Sequence, residues 1–211
     1  MRNWQPLAEG VAMTILISTL AMLGALAGGL AVALARLSRY RVLRALTYGY
    51  TELFRTTPFL VQLLWIFYAL PRLGGPALTP FSAGLIALIL NLSAFLGEIY
   101  RAGMIAIPRG VVEAGIALGF TGNDVKRRIT IPIAFRQTLP LTVSHWITLF
   151  KETSVLSIIG TAELMYEARV VAVDTYRPLE VFTGVAVIYF LLTYPQSIIL
   201  NRIYEKHRPQ E

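Results

Sequence analysis

The chain has 211 residues, 55% of them hydrophobic and only 15% charged, with a mean hydropathy of +0.60. A soluble domain carries about 25% charged residues, so an ordinary water-soluble globule is excluded, and the absence of cysteine excludes a disulfide scaffold or a thiol-ligated metal. The net charge of +7 would suggest nucleic acid in a more polar chain; here it fits loops biased to one side of a membrane, and no nucleic-acid partner is expected.

Five apolar spans are predicted, at 11–35, 56–71, 80–100, 138–160 and 180–201, in a single all-α transmembrane domain covering 1–211. The first is uncharged from Val11 to Ala35 and, at about 1.5 Å per residue, crosses a hydrocarbon core of roughly 30 Å. It is too long for a signal-peptide core and is preceded by a single basic residue, so a retained helix is expected. Gly24 and Gly28 form a G-x-x-x-G pattern that permits close helix approach, although incidental packing is the commoner meaning in a chain rich in Gly and Ala. From Arg39 to Arg55 basic and apolar residues alternate, which predicts a helix lying along the inner surface. Span two ends in the turn Pro71-Arg72-Leu73-Gly74-Gly75-Pro76, and the next helix is expected to start near Pro80, since Pro is tolerated in a first turn. Span four is apolar except for Lys151 and Glu152. Trp4, Trp65, Tyr68 and Tyr204 fit interfacial anchors, His145 lacks a second histidine at metal spacing, and His207 sits in a basic tail. No metal site is expected.

Arg36, Arg39, Arg41 and Arg44 follow span one; Arg101, Arg109, Lys126, Arg127, Arg128 and Arg136 lie between spans three and four; Arg202, Lys206 and Arg208 follow span five. The alternate loops hold Arg72, and Arg169 and Arg177 balanced by Glu163, Glu167, Asp174 and Glu180. The positive-inside rule therefore puts the N-terminus outside and the C-terminus in the cytoplasm. The loop 103–136 is then cytoplasmic. Within it, Glu113 is expected in the first turn of a short helix, where a carboxylate favours the positive dipole end. Ala114, Gly115 and Ala117 give a face without bulk, Gly119 a helix stop and Phe120 an aromatic knob. Thr121 or Asn123 can cap a second helix carrying Lys126, Arg127 and Arg128, and Pro132 and Pro140 end or kink the helices beyond. Such a helix suits a groove on another protein. A plain connector whose basic residues meet lipid headgroups fits these residues equally well.

The same stretch resembles the cytoplasmic EAA loop of bacterial ABC importer permeases: Glu-Ala-Ala, a Gly four positions after the second Ala, then Ile-x-Leu-Pro. Glu113-Ala114-Gly115, Gly119, Ile129 and Ile131-Pro132 stand at that spacing, with Gly115 for Ala and Ile131 for Leu. ALARLSRYRVLRALTYGYTELFRTTPFLVQLLW, SAFLGEIYRAGMIAIPRGVVEA and LFKETSVLSIIG resemble further blocks of the polar amino-acid importers, in order. Thr56 replaces the usual Gly, Val111 the usual Gln, Glu152 the usual Asp, and His145 stands where an amide is common. The resemblance implies the permease subunit of an amino-acid importer in the bacterial inner membrane, multi-pass and not itself an enzyme. It implies a coupling helix at Glu113 to Phe120, with Glu113, Ala114, Gly115, Leu118, Gly119 and Phe120 meeting a separate ATP-binding subunit. ATP and Mg would be bound there; this chain has no G-x-x-x-x-G-K-[ST] loop. The other implied partners are a second permease copy or paralogue, a secreted or periplasmic solute-binding protein, and the amino acid.

Charges inside a span cost roughly 2.5–3.5 kcal/mol each on insertion scales and face a cavity or a partner. Neighbours on a helix do not face each other, so Lys151 and Glu152 each need another partner: Glu98 or Arg101 on span three, Glu163, the second subunit, or the substrate's ammonium and carboxylate. A structural bridge between spans three and four and direct substrate contact both remain open. Glu163 is a further candidate for the substrate's ammonium or a cationic side chain, and Thr57 and Gln62 for neutral hydrogen bonds. Among rivals, a secondary transporter would carry more spans and internal repeats. An intramembrane enzyme would need a nucleophile and base that converge, whereas Ser144 and His145 diverge on a helix.

Overall fold

The structure, a computed structural model, describes residues 4–207. Residues 1–3, Arg208 of the expected basic tail, and the side chains of Lys206 and His207 lie outside the described residues. Among the described residues the regular structure is entirely helical: α1 Trp4–Arg36, α2 Arg41–Thr56, α3 Phe59–Leu64, α4 Leu70–Arg72, α5 Pro80–Ile105, α6 Arg109–Ala117, α7 Gly122–Val125, α8 Ile131–Glu152, α9 Leu164–Thr175 and α10 Pro178–His207. Two π-helical turns, Trp65–Ala69 and Lys126–Thr130, and a 3-10 segment, Thr153–Ile159, complete it.

The main packing seam joins α1 to α5, and its chemistry inverts that of a soluble helix. The buried positions on α1 include Gly10, Thr14, Ser18, Ala21, Ala25, Gly29 and Ala33, at helical spacing, while Leu16, Leu20 and Leu23 point outward. Small residues let two backbones approach where lipid supplies no hydrophobic drive between helices. A Cβ on Gly29 would lie 2.7 Å from Cβ of Leu96, and Gly24 and Gly28 meet Ile89 and Ser93. The G-x-x-x-G pattern is thus part of this intrachain seam. α10 packs on α8 and α9 and leaves Phe190, Leu191 and Tyr194 exposed.

Prolines set the irregular turns. The Leu70 N–H reaches the Trp65 carbonyl just before Pro71, and the Ile131 N–H reaches the Lys126 carbonyl just before Pro132. A proline removes the next i→i−4 bond and crowds the preceding turn, which widens into a π turn. α5 begins at Pro80 behind Thr79, whose hydroxyl accepts from the Ser82 N–H at 3.2 Å.

Where the sequence divides the expected Arg39–Arg55 helix from span two, the chain breaks sharply at Thr57-Pro58, with Arg41–Thr56 and Phe59–Arg72 bent by 112°. The residue before a proline is driven out of the α region, and Thr57 is extended at ψ 144. α2 is tied to the bundle through Tyr50, which donates to the Leu90 carbonyl at 2.6 Å, near the middle of the 26-residue α5. By length and composition three helical stretches can cross a membrane, Trp4–Arg36, Pro80–Ile105 and Pro178–Leu200, with the bent pair as a possible fourth.

Candidate functional site

The loop between α5 and α8 is a folded unit. α6 starts at Arg109 behind Pro108, so Glu113 lies beyond the first turn; the expected dipole contact is corrected, because Pro108 moves the helix start four residues earlier. Gly115 is buried and faces the rest of the loop: a Cβ there would meet Ile129 Cδ1 at 2.8 Å and Val125 Cγ2 at 3.1 Å. The small residue thus serves the loop's own packing, and the outward face carries Glu113, Ala114, Ile116, Ala117 and Leu118. α6 closes in a Schellman motif: Gly119 sits at φ 84, its N–H bonds the Ile116 carbonyl at 2.9 Å, and the Phe120 N–H bonds the Gly115 carbonyl at 3.2 Å. Phe120 is not the expected knob. It is half-buried beneath the Arg128 guanidinium, 5.9 Å from the ring centre, and the protruding apolar side chain is Leu118, 78% exposed.

Thr121, rather than Asn123, caps α7, accepting from the Asp124 N–H at 3.2 Å and donating to Asp124 Oδ2 at 2.6 Å. That hydroxyl, reinforced by Arg128 and Arg127, holds the Asp124 carboxyl below its ordinary value. The loop therefore has a rigid exposed side, one turn from the end of α5.

Glu98 and Arg101 are brought together, but not with span four. Arg101 Nε donates to both Glu98 oxygens at 3.0 and 2.9 Å, joined by its Nη2, and Arg36 Nη2 reaches Glu98 Oε2 at 3.4 Å. The Arg36 guanidinium also lies 4.7 Å from the centre of the Tyr48 ring. Two arginines on one carboxylate tie the ends of α1 and α5 together just before the loop. Among the described residues neither Lys151 nor Glu152 forms an ion pair. Of the two readings left open for Lys151 and Glu152, the intrachain bridge to Glu98 or Arg101 is absent among the described residues: Glu98 and Arg101 satisfy each other at the loop end of α5, while Lys151 and Glu152 close α8 at the far end.

Gln62 and Thr57 sit at the broken helix. Gln62 Nε2 donates to the Phe54 carbonyl, the Thr57 carbonyl and Thr57 Oγ1, each at 2.9 Å. Asn91 Nδ2 donates to Gln62 Oε1 at 2.9 Å and to the Phe54 carbonyl at 3.2 Å. Irregular backbone persists where protein groups satisfy its polar atoms, and this amide pair does so at the break. Glu163 is fully buried and caps α9: its oxygens accept from the Met165 N–H at 3.0 Å, the Tyr166 N–H at 2.8 Å and the Tyr189 hydroxyl at 3.1 Å.

A groove of about 560 Å³ opens between α2, α5 and α8, toward the loop end, with Arg55, Phe95, Glu98, Gln137 and His145 in its wall. The Phe95 ring lies between Arg55, whose guanidinium is 5.9 Å from its centre, and His145, 5.4 Å away centre to centre. Arg55 and Asn91 were missed as site residues. Asn91 as the one amide in an otherwise apolar run, and Arg55 next to the Thr-Thr-Pro break, were the available signals.

Residues 22–209 match the family model described as the inner membrane component of binding-protein-dependent transport systems. The chain is 34% identical over 198 residues to the glutamine transport system permease protein GlnP of Escherichia coli K12, covering 93% of this chain and 90% of that protein. It is also 34% identical to the arginine transport system permease protein ArtQ of Bacillus subtilis, covering 94% and 90%. Among solved structures, a chain of an amino acid ABC transporter superposes with a TM-score of 0.88 at 34% identity, covering 96% of this chain and 94% of that one. The methionine transporter MetNI superposes at 0.80 with 21% identity, a likeness of fold. With the family model spanning nearly the whole helical bundle and its loop, the chain belongs to the inner membrane components of binding-protein-dependent transport systems.

Proposed function

We propose that this chain is the membrane subunit of an ATP-driven amino-acid importer. α6 is its contact with a separate ATP-binding subunit, which holds ATP and Mg. The observation that carries the reading is the loop: Gly115 is packed inward on Val125 and Ile129, so Glu113, Ala114, Ala117 and Leu118 form an outward face that is exposed among the described residues. Movement of that face passes to α5 through a short connection and to α1 through the Arg36–Glu98 pair. Two permease subunits, copies or paralogues, enclose the path, and a solute-binding protein delivers the amino acid from outside. α8 and the broken α2–α4 segment complete five spans in the bacterial inner membrane, with the N-terminus outside and the loop inside.

Along the path, Lys151 and Glu152 take the substrate's carboxylate and ammonium. Support comes from the lack of an intrachain ion pair for either among the described residues, where a charge held inside a membrane needs an opposite partner. Glu98, Arg101, Thr57, Gln62 and Glu163 shape the path through the contacts described above. The test is uptake of labelled amino acid into vesicles holding this chain, its ATP-binding subunit and the binding protein. ATP-dependent uptake without an ion gradient is expected; uptake driven by an ion gradient alone would favour a secondary transporter. A cytoplasm-only reporter should work inside Gly122 to Lys126 and stay silent at Gly74-Gly75.

A further inference from the structure

We infer that the amino acid crosses along one face of α8, passing from Lys151 and Glu152 to Thr148, His145 and Gln137. The inference rests on the importer reading: this face is one wall of the path, and the second permease subunit supplies the wall opposite. At about 100° per residue, Gln137, Ser144, His145, Thr148, Lys151 and Glu152 fall within roughly 120° of the helix surface. The lane they form runs about 22 Å from Glu152 to Gln137. All six residues are exposed or half-buried.

Polar residues off the lane behave differently. Thr138 and Thr142 are buried, and each hydroxyl donates to a carbonyl one turn back, of Ala134 at 2.8 Å and of Thr138 at 3.0 Å. Those hydroxyls are satisfied by their own helix. On the lane, the side chains of Gln137, His145, Lys151 and Glu152 make no hydrogen bond or ion pair among the described residues. Polar groups at bilayer depth face a water-filled cavity or a partner, never lipid alone, so four of them on one stripe mark a wet surface. The other side of α8 is the contrast: Leu139, Val143 and Trp146 meet Met22 and Leu26 of α1 around an apolar groove of about 350 Å³.

The lane suits a zwitterion. Lys151 and Glu152 offer both signs of charge at the far end. Beyond them a hydroxyl, an imidazole and an amide offer weaker hydrogen bonds in succession, which lets a substrate exchange water for protein without being held fast. His145 is fixed by packing against Phe95, ring centres 5.4 Å apart, and with Gln137 it borders the groove of about 560 Å³ at the loop end.

The experiment uses the chain's lack of cysteine, which lets single replacements report one position at a time. Thr148→Cys, His145→Cys and Gln137→Cys on the lane, and Val143→Cys on the opposite face, are reconstituted in lipid vesicles with cysteine-free versions of the ATP-binding subunit and the binding protein. Three lane positions keep the test open if one replacement fails to assemble. Each is exposed on both sides of the membrane to a methanethiosulfonate carrying a trimethylammonium group. A thiol in water ionises and reacts while one in apolar surroundings stays inert, so the lane cysteines should react at least about tenfold faster than Val143→Cys. Reaction at Thr148→Cys should also abolish ATP-dependent uptake of a labelled mixture of the twenty amino acids, while treated Val143→Cys vesicles keep theirs. Lane cysteines that react no faster than Val143→Cys overturn the inference, and ATP-dependent uptake by the parental vesicles then leaves the importer reading standing. Fast reaction on the lane with uptake retained overturns it as well, since the lane would be wet without being the path. Parental vesicles without ATP-dependent uptake sink the importer reading, and this inference with it.

Discussion

Gln62→Leu should strike the break in span two. The substitution keeps the side chain's bulk but deletes all four hydrogen bonds made by the amide. The Phe54 carbonyl retains Asn91 Nδ2 at 3.2 Å, and Thr57 Oγ1 still donates to the Leu53 carbonyl at 2.6 Å. The Thr57 carbonyl loses the side-chain donor it had, and one Asn91 N–H loses its acceptor. Each buried polar group left unpaired costs about 1–3 kcal/mol, and the extra apolar surface of Leu returns part of that, leaving a loss of about 2–4 kcal/mol. Asn91→Leu orphans only Gln62 Oε1 and should cost about half as much. In a thermal melt of the detergent-purified complex, Gln62→Leu should lower Tm by about 5–10 °C, scaling from chains of similar length. The double variant should cost less than the sum of the singles, because the two amides share one network. A Gln62→Leu protein melting within about 2 °C of the parent would refute the reasoning that the amide pair holds the break.

Glu163→Ala should destabilise by about 2–4 kcal/mol, a lost cap plus a stranded Tyr189 hydroxyl, read as a lower Tm, and Tyr189→Phe should be milder. Gly119→Val places a β-branched residue at φ 84 and should cost about 1–2 kcal/mol locally, seen as faster amide exchange across α6 with the spans unaffected. The lowered carboxyl of Asp124 contributes stability above the ordinary aspartate range that is lost as pH falls through its depressed value. Acidification should therefore speed exchange at α7 in the parent, and the Asp124→Asn variant should lack that step.

How far the sequence carried varied with the range of the forces involved. Pro80 behind Thr79, the Gly119 stop and the Thr121 cap are local chemistry, written within four residues of where they act. The i,i+3 pair Glu98–Arg101 was equally readable. Its third member was not, since Arg36 lies 62 positions away and nothing in the spacing links them. The side of α6 that Gly115 presents depends on Val125 and Ile129 folding back over it, so the small residues were read as one outward face when one of them is internal. Glu163 is engaged locally by the Met165 and Tyr166 N–H groups, a cap within three residues, while its third partner, the Tyr189 hydroxyl, lies 26 positions away and was not readable from spacing. The division between the Arg39–Arg55 helix and span two was legible in the composition, and the residue before Pro58, which leaves the helix, places the bend itself at Thr57.

The coupling contact can be tested directly because the chain has no cysteine of its own. Leu118→Cys, on the exposed face of α6, and Tyr176→Cys, 89% exposed between α9 and α10 at the other end of the bundle, each create a single attachment point for a benzophenone maleimide. After assembly with the ATP-binding subunit and illumination, a covalent adduct of the two subunits should form from position 118 and not from position 176. No adduct from 118, or equal adducts from both positions, would contradict the claim that α6 docks on the ATP-binding subunit.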